Sequence, residues 1–157
     1  MEATSANFPF LVCEIDGKVV GYAYGGKFAA RPAYQWSAES TVYLHQDYHR
    51  RGIGRALYTS LLAILKAQGY HNVFGGVTIP NAGSIGLHEA MGYKQVALYK
   101  NVGYKFEAWH DVGWWQLELR PCSDHPAEPD SVRELTKSSG FESLLKSGEQ
   151  FIKPNPV

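Results

Sequence analysis

The 157-residue sequence predicts a mixed α/β domain, an α+β arrangement with the element order β-β-β-α-β-α-β-β. Short apolar segments that alternate with polar residues occur both early and late in the first 120 residues, as half-buried strands require. Between them lie two segments whose apolar residues recur every three or four positions, the spacing of a helix with one buried face. These two observations together favour a single sheet with helices packed on it.

The first three predicted elements are strands. Residues 10–15 and 19–24 flank the pair Asp16-Gly17. Asp-Gly between two apolar segments indicates a hairpin with a type I′ turn, because that turn needs positive φ angles. Residues 25–38 have the composition of a loop, and residues 39–45 alternate like a third strand.

Two helices separated by a strand follow. The first begins after Gly52 and ends at Gly69, a natural C-terminal stop. Its apolar positions keep helical spacing; they are Ile53, Leu57, Leu61, Ile64 and Leu65. Residues 73–79 are predicted to form the next strand, and a short helix then opens at Pro80-Asn81 and stops at Gly92.

Two aromatic-rich strands, over residues 94–102 and 109–119, complete the predicted domain. The composition changes at residue 121, where Ser, Pro, Glu and Lys become frequent. We therefore divide the chain into an N-terminal extension (1–8), the domain (9–120) and a polar tail (121–157). The tail is expected to be disordered or weakly helical, with at most one weak helix near 132–145.

Composition excludes several classes of function. The formal net charge of zero argues against a general nucleic-acid binder. The apolar runs are too short to cross a bilayer, and the first residues lack the features of a secretory signal, so we expect a cytoplasmic protein. The two cysteines and six histidines show no metal-ligand spacing, and we predict no metal.

The segment Arg50-Arg51-Gly52-Ile53-Gly54-Arg55 is the strongest chemical signal. A helix N-terminus leaves backbone N–H groups unpaired, glycines let a phosphate approach them, and arginines add charge-assisted contacts. The segment therefore suits a diphosphate. An ordinary glycine-containing turn before a core helix explains the spacing equally well. The Rossmann pattern fails because Leu57 stands at the third glycine position, and the P-loop pattern is absent.

Strand, polar loop, this segment and the following helix together resemble the acyl-CoA-binding motif of the GNAT acetyltransferases, Gln/Arg-x-x-Gly-x-Gly/Ala. Gly52 and Gly54 match it, whereas His49 stands at its first position. The stretch from Asn81 to Tyr93 resembles the second helix motif of the family. Three further stretches are similar to the phosphinothricin N-acetyltransferase subfamily: Ala33-Tyr34-Gln35-Trp36-Ser37-Ala38-Glu39-Ser40-Thr41-Val42-Tyr43, Leu87-His88-Glu89-Ala90-Met91-Gly92-Tyr93 and Trp109-His110-Asp111-Val112-Gly113-Trp114-Trp115-Gln116-Leu117.

The resemblance implies direct acetyl transfer from acetyl-CoA to the amino group of a small amino acid such as phosphinothricin or methionine sulfoximine. It implies Glu39 as the base that deprotonates the amine, and His88 as a proton relay or the acid for the thiolate. Arg31 and Tyr34 resemble residues on the substrate side. The implied acetyl-CoA contacts are Val42, Tyr43, Leu44, His49, Arg50, Arg51, Gly52, Ile53, Gly54, Arg55, Tyr58, Asn81 and Ser84.

Several roles have competing interpretations. Without the resemblance, Glu39 reads as a solvated carboxylate at the end of a strand. Tyr58 fits core packing as well as a CoA contact, and Arg31 fits a solvated loop. The resemblance further requires a splayed gap between residues 39–45 and 73–79, where the pantetheine arm lies along the first of these strands; Gly75-Gly76 is compatible with a local distortion there.

One departure concerns the start of the domain. Members of the family begin with a strand and two helices ahead of the first hairpin, and here the hairpin starts near residue 10, so the opening unit is expected to be missing. This motivates an alternative hypothesis, a truncated and catalytically impaired CoA-binding protein. Acetylation of proteins or peptides is a third and weaker hypothesis, and the resemblance makes a homodimer plausible.

Overall fold

The computed structural model describes residues 7–154, and it contains one six-stranded sheet in the order β1-β2-β3-β4-β6-β5. The mixed α/β class predicted from the sequence is confirmed. The strands are β1 Phe10–Ile15, β2 Lys18–Lys27, β3 Ser37–Leu44, β4 Asn72–Ile79, β5 Lys94–Lys105 and β6 Ala108–Glu118. The helices are α1 Ile53–Gln68, α2 Ala82–Ala90, α3 Val132–Leu135 and α4 Phe141–Lys146. Single 3₁₀ turns occupy Pro32–Tyr34, Gln46–Tyr48 and Glu149–Phe151.

Strand pairing is antiparallel except at the centre of the sheet. The β1–β2 hairpin turns at Asp16 and Gly17, whose φ angles of 51° and 75° confirm the expected positive values. Strand β2 runs on to Lys27, so the first three residues of the loop predicted over 25–38 are strand, because Gly25 and Gly26 pair with β3. The β3–β4 pair is parallel and short, and it divides the sheet into an N-terminal and a C-terminal half.

Helix α1 packs across β1, β2 and β3 and forms the centre of the core. Its apolar stripe is buried, with Leu61, Ile64 and Leu65 fully inaccessible. The helix ends where predicted, at Gly69, whose φ of 105° gives the left-handed C-terminal cap. Helix α2 lies against β4 and is capped by Asn81, whose side-chain oxygen accepts the Ser84 backbone N–H at 3.0 Å.

The C-terminal region differs from the expected polar tail. It contains two short helices, α3 and α4, and its apolar residues pack against the core; they are Val132, Leu135, Phe141, Leu144 and Ile152. Hydrogen bonds tie it to α1: Gln68 C=O accepts the Asp130 N–H at 2.7 Å, and the Ser60 hydroxyl donates to Leu145 C=O at 2.7 Å. Composition missed this packing because the apolar residues are few and widely spaced.

Most of the predicted N-terminal extension, residues 1–6, lies outside the described residues; Phe8 packs on Tyr70 at a centroid distance of 5.5 Å. Within residues 7–154, no helix is long and apolar enough to cross a membrane.

Candidate active site

A cleft opens where β3 and β4 separate. The two strands pair only from Ser37 with Asn72 to Glu39 with Phe74, and beyond that point they share no ladder. The gap that the family resemblance required is therefore present. It encloses about 200 Å³ and is lined by Ser40, Thr41, Val42, Tyr43, Tyr58, Gly76, Val77, Thr78, Asn81, Ser84 and His88.

The cleft is lined by side chains from both faces of β3, because Ser40 and Val42 alternate with Thr41 and Tyr43 along the strand. Ala38 and Ser40 are buried on the face covered by α1. Because successive side chains of a strand point to opposite faces, Glu39 lies on the other face. The structure thus places Glu39 and His88 on different sides of the sheet, at the point where the sheet is open.

His88 is buried at the base of the cleft and is bound through both ring nitrogens. Its Nδ1 lies 2.7 Å from the Ser84 carbonyl oxygen, which can only accept, so Nδ1 carries the proton. Nε2 then accepts the Tyr58 hydroxyl at 3.0 Å. Burial lowers the pKa of His88, and the bond to Ser84 opposes that shift only in part, so the imidazole is neutral at pH 7.

Tyr58 projects from α1 into the cleft and is fully buried. Burial raises its pKa to about 12, so the hydroxyl stays protonated at neutral pH. The Tyr58 ring therefore packs in the core, as one of its two interpretations expected, while its position in the lining of the cleft leaves the ligand contact as a prediction.

Gly75 on β4 makes room for the imidazole. A Cβ at this position would overlap His88 Nε2 and would come within 2.7 Å of Cδ2. The first residue of the Gly75-Gly76 pair is therefore a glycine because the buried His88 ring approaches its backbone closely.

Glu39 stands at the last position where β3 and β4 pair, opposite Phe74, and does not itself line the cleft. It is half-buried, and desolvation raises its pKa. Its register partner Phe74 stacks on Phe28 at 4.2 Å, and the edge of Tyr34 meets Phe28 at 6.4 Å. The environment of Glu39 is thus apolar and aromatic, which favours proton uptake by the carboxylate.

The glycine loop joins the cleft to the start of α1. Gly52 has a φ of 77°, and no side chain from residues 7–154 caps the helix. The amides of Ile53, Gly54 and Arg55 precede the first intrahelical bond, from the Ala56 N–H to Gly52 C=O at 2.9 Å, and are therefore the free donors expected at a helix N-terminus. A Cβ on Gly54 would press on Leu44 and Leu87, so this glycine lets the loop lie close to the end of β3.

The remaining predicted residues fall around this centre. Val42, Tyr43, Asn81 and Ser84 line the cleft. His49 lies beside the end of β3, 3.4 Å from Leu44 C=O, and Arg51 stacks over Tyr48 at 5.1 Å. Arg50 is exposed with a φ of 61°.

The two residues predicted on the substrate side, Arg31 and Tyr34, do not line the cleft. Both are exposed at the 3₁₀ turn on the Glu39 side of the sheet.

Sequence reasoning missed part of the site. Ser40 donates to Phe74 C=O at 3.3 Å and accepts the Tyr93 hydroxyl at 2.8 Å, so Tyr93 fixes the edge of β3 where the strands divide. The only sequence signal for these two residues is their place within the family-like stretches. Thr41, Gly76, Val77 and Thr78 also line the cleft without having been singled out. Among residues 7–154, no group of three or more potential metal ligands comes together.

Comparison with known proteins identifies the family and the relatives of this chain. Residues 1–114 match the family described as acetyltransferase (GNAT) domain. The phosphinothricin N-acetyltransferase of Streptomyces viridochromogenes is 42% identical over 137 residues, which are 87% of this chain and 73% of that protein. The L-methionine sulfoximine/L-methionine sulfone acetyltransferase of Salmonella typhimurium is 35% identical over 124 residues, covering 79% and 70%. The crystal structure of a GNAT phosphinothricin acetyltransferase from Sinorhizobium meliloti in complex with acetyl-CoA superposes with a TM-score of 0.74 at 30% identity, covering 80% and 69%.

The open sheet, the glycine loop and these matches define the class of protein as an acetyl-CoA-dependent N-acetyltransferase. The chain belongs to the GNAT acetyltransferase family, and its relatives include phosphinothricin N-acetyltransferases.

Proposed function

We propose that this protein transfers the acetyl group of acetyl-CoA directly to the amino group of a small amino-acid-like acceptor of the phosphinothricin or methionine sulfoximine type. The observation that carries the proposal is the cleft between β3 and β4, which opens the sheet between the Tyr58–His88 pair and the face that bears Glu39. The names of the relatives support this class of acceptor.

The residues present fit acetyl-CoA. The free amides at the start of α1, with His49 and the arginines at 50, 51 and 55, suit its diphosphate. The part of β3 from Val42 to Leu44 lacks a partner on the β4 side, so its backbone can pair with the pantetheine arm and supply a donor to the oxyanion. Asn81 and Ser84 border the same cleft from α2. Acetyl-CoA supplies the activated acyl group.

Glu39 is proposed as the general base. An amine is protonated at neutral pH and must lose a proton before its nitrogen can attack the thioester carbon. The raised pKa of Glu39 strengthens the carboxylate as a proton acceptor. The C–N bond then forms, and the C–S bond breaks as the tetrahedral intermediate collapses.

Tyr58 and His88 are proposed to handle the second proton. The departing thiolate needs a proton, and the Tyr58 hydroxyl is the buried donor in the cleft. After the attack, the nitrogen of the tetrahedral intermediate still carries a second proton that must leave. This proton passes through the Tyr58 hydroxyl to His88 Nε2, 3.0 Å away, and returns through the same hydroxyl to the sulfur as the C–S bond breaks. The Ser84 carbonyl holds the ring in the tautomer that leaves Nε2 free to accept.

Arg31 and Tyr34 are proposed to bind the acceptor. Tyr34 reaches the aromatic cluster next to Glu39 through Phe28, and Arg31 opens the same turn with its side chain exposed. A guanidinium can hold the carboxylate of an amino acid in a bidentate pair.

A thiol-release assay with acetyl-CoA and a panel of amino acids tests the function. We expect acceptor-dependent CoA release with phosphinothricin or methionine sulfoximine. Glu39→Gln should lower kcat roughly a hundredfold or more while the Kd of acetyl-CoA stays near the wild-type value.

Glu118→Gln, which neutralises an exposed carboxylate at the end of β6, is the matched control and should leave kcat unchanged. Equal losses in kcat and acetyl-CoA affinity for Glu39→Gln would assign this residue a structural role. Tight CoA binding by a folded sample without release on any acceptor would favour the alternative, a CoA-binding protein without turnover.

Two further features are proposed. A homodimer is supported by β5, an edge strand of the sheet that exposes Val96, Leu98 and Tyr99. The zero net charge supports the absence of a nucleic-acid partner. A cytoplasmic location is also proposed.

A further inference from the structure

Residues 148–153, which we call the C-terminal clamp, lie directly against the glycine loop. A Cβ at Gly52 would overlap the Phe151 carbonyl oxygen, so the two backbones are in contact. The Lys153 N–H donates to Arg51 C=O at 2.9 Å. The guanidinium of Arg55 lies over the Phe151 ring, 4.1 Å from its centroid. Three residues of the predicted diphosphate site, Arg51, Gly52 and Arg55, thus contact one segment near the end of the chain.

A stripe of small residues on α1 makes this approach possible. Gly52, Ala56 and Ser60 are spaced four apart and therefore share one side of the helix. Gly148 lies so close to Ala56 that a Cβ would overlap its carbonyl, and the Gly148 N–H donates to the Ser60 hydroxyl at 3.1 Å. The clamp is therefore seated on the helix by specific contacts at both of its ends.

Stacking is a suitable way to hold an arginine that has to bind phosphate. The Arg55 guanidinium carbon lies over the Phe151 ring, and a guanidinium held over a ring can still donate from the N–H groups at its edge. Arg55 is exposed and has no carboxylate partner among residues 7–154. Its donors are thus uncommitted and its orientation is restricted, which reduces the entropy lost when it binds a diphosphate.

We propose that the C-terminal clamp is part of the acetyl-CoA site, where it holds Gly52 in its left-handed conformation and Phe151 positions Arg55 for the diphosphate. Phe151 is a positioning residue because it acts through Arg55. The inference rests on the proposed function, since it presumes that the glycine loop binds the diphosphate of acetyl-CoA.

Comparing two acyl donors distinguishes a role of Phe151 in diphosphate binding from a general effect on the stability of the fold. Acetyl-CoA carries the diphosphate, whereas acetyl-pantetheine ends before it. For Phe151→Leu, which keeps an apolar side chain but removes the ring, we expect the KM for acetyl-CoA to rise roughly fivefold, with kcat unchanged, because one cation–π contact is lost. The kcat/KM for acetyl-pantetheine should equal that of the wild type.

Phe106→Leu is the matched control. Phe106 is an exposed ring that stacks on Lys105 at 4.9 Å in the β5–β6 turn, so this change removes a similar pair away from the loop. This variant should change neither the KM for acetyl-CoA nor the kcat/KM for acetyl-pantetheine. In an Arg55→Gln background, Phe151→Leu should have no further effect on the KM for acetyl-CoA, because the positioned group is already gone.

The outcomes are distinct. Equal losses of kcat/KM with acetyl-CoA and acetyl-pantetheine would overturn the positioning role of Phe151. So would an unchanged KM for acetyl-CoA in Phe151→Leu, or an equally large rise of this KM when Phe151→Leu is made in the Arg55→Gln background. If the wild type binds CoA without turnover, the proposed function fails, and the role of the clamp is tested by calorimetry instead. The Kd of CoA should then rise roughly fivefold in Phe151→Leu relative to the wild type. A wild type that does not bind CoA overturns both.

Discussion

At the scale of single residues, Gly75 determines whether the Tyr58–His88 pair can form. A methyl group at this position would occupy the place of the imidazole Nε2, which accepts the Tyr58 hydroxyl. We expect Gly75→Ala to displace the ring and to lower kcat by about tenfold or more, since proton transfer by a positioned side chain contributes at least that much. The thiol-release assay measures kcat, and the imidazole NMR signals report the hydrogen bond.

Gly103→Ala is the control for this change, because a Cβ at Gly103 on β5 meets no atom within 4 Å. It should leave kcat and the histidine signals as they are in the wild type. Wild-type kcat in a folded Gly75→Ala protein would show that the bond between Tyr58 and His88 has no part in the reaction.

The residues also show which candidates a sequence can suggest. His88 and Glu39 were predicted to take part in the reaction because they stand within motifs whose order resembles a family. Tyr58 remained undecided because helical spacing gives only the side of a helix on which a residue lies, and its partner is 30 positions away. Tyr93 and Ser40 were missed for the same reason, since their hydrogen bond joins residues 53 positions apart.

At the scale of elements, β5 is an exposed edge that a second copy of the chain could cover. Its unpaired backbone groups and its exposed apolar side chains make it a template for another strand, and a twofold axis would pair the same edge of two copies. We expect the wild type to sediment as a dimer and Leu98→Lys to sediment as a monomer, because a buried ammonium would face its symmetry mate.

Val19→Lys provides the comparison. Val19 is as exposed as the β5 residues but lies on β2, in the other half of the sheet, so the dimer should persist in this variant. Sedimentation of the wild type as a monomer at tens of micromolar would rule out the proposed association.

Element boundaries illustrate a second limit of sequence reasoning. The hairpin and both main helices were predicted because local signals mark them, such as Asp16-Gly17 and the stop at Gly69. Residues 25–27 were expected to be loop, since glycine is rare in strands. Their ladder to Glu39 and Ser40 makes them part of β2, and that pairing is a property of the assembled sheet.

At the scale of the whole molecule, the region after residue 120 completes the domain rather than extending from it. Its role depends on where α3, α4 and the C-terminal clamp meet α1, and composition holds no information on that placement. A segment of polar composition therefore provides, through the C-terminal clamp, the backbone contacts with the glycine loop.

The stability of the whole molecule should depend on pH through His88. Burial holds the folded-state pKa of this residue below its ordinary value, whereas in the unfolded chain the imidazole has a pKa of about 6.5. Between these two pKa values the unfolded chain binds more protons than the folded protein, so the free energy of unfolding falls as the pH is lowered through about 6.5.

Urea unfolding of the wild type and of His88→Gln between about pH 5.5 and 7.5 measures this contribution. We expect the wild type to lose stability toward the acid end more steeply than the variant, which has no imidazole to protonate there. Glu39 has a raised pKa and acts in the opposite sense, stabilising the fold at low pH and losing that effect as the pH rises through its folded pKa. Because both proteins keep Glu39, its contribution cancels in the difference between the two curves. Parallel curves would contradict the prediction and would mean that His88 takes up its proton in the folded protein as readily as in the unfolded chain.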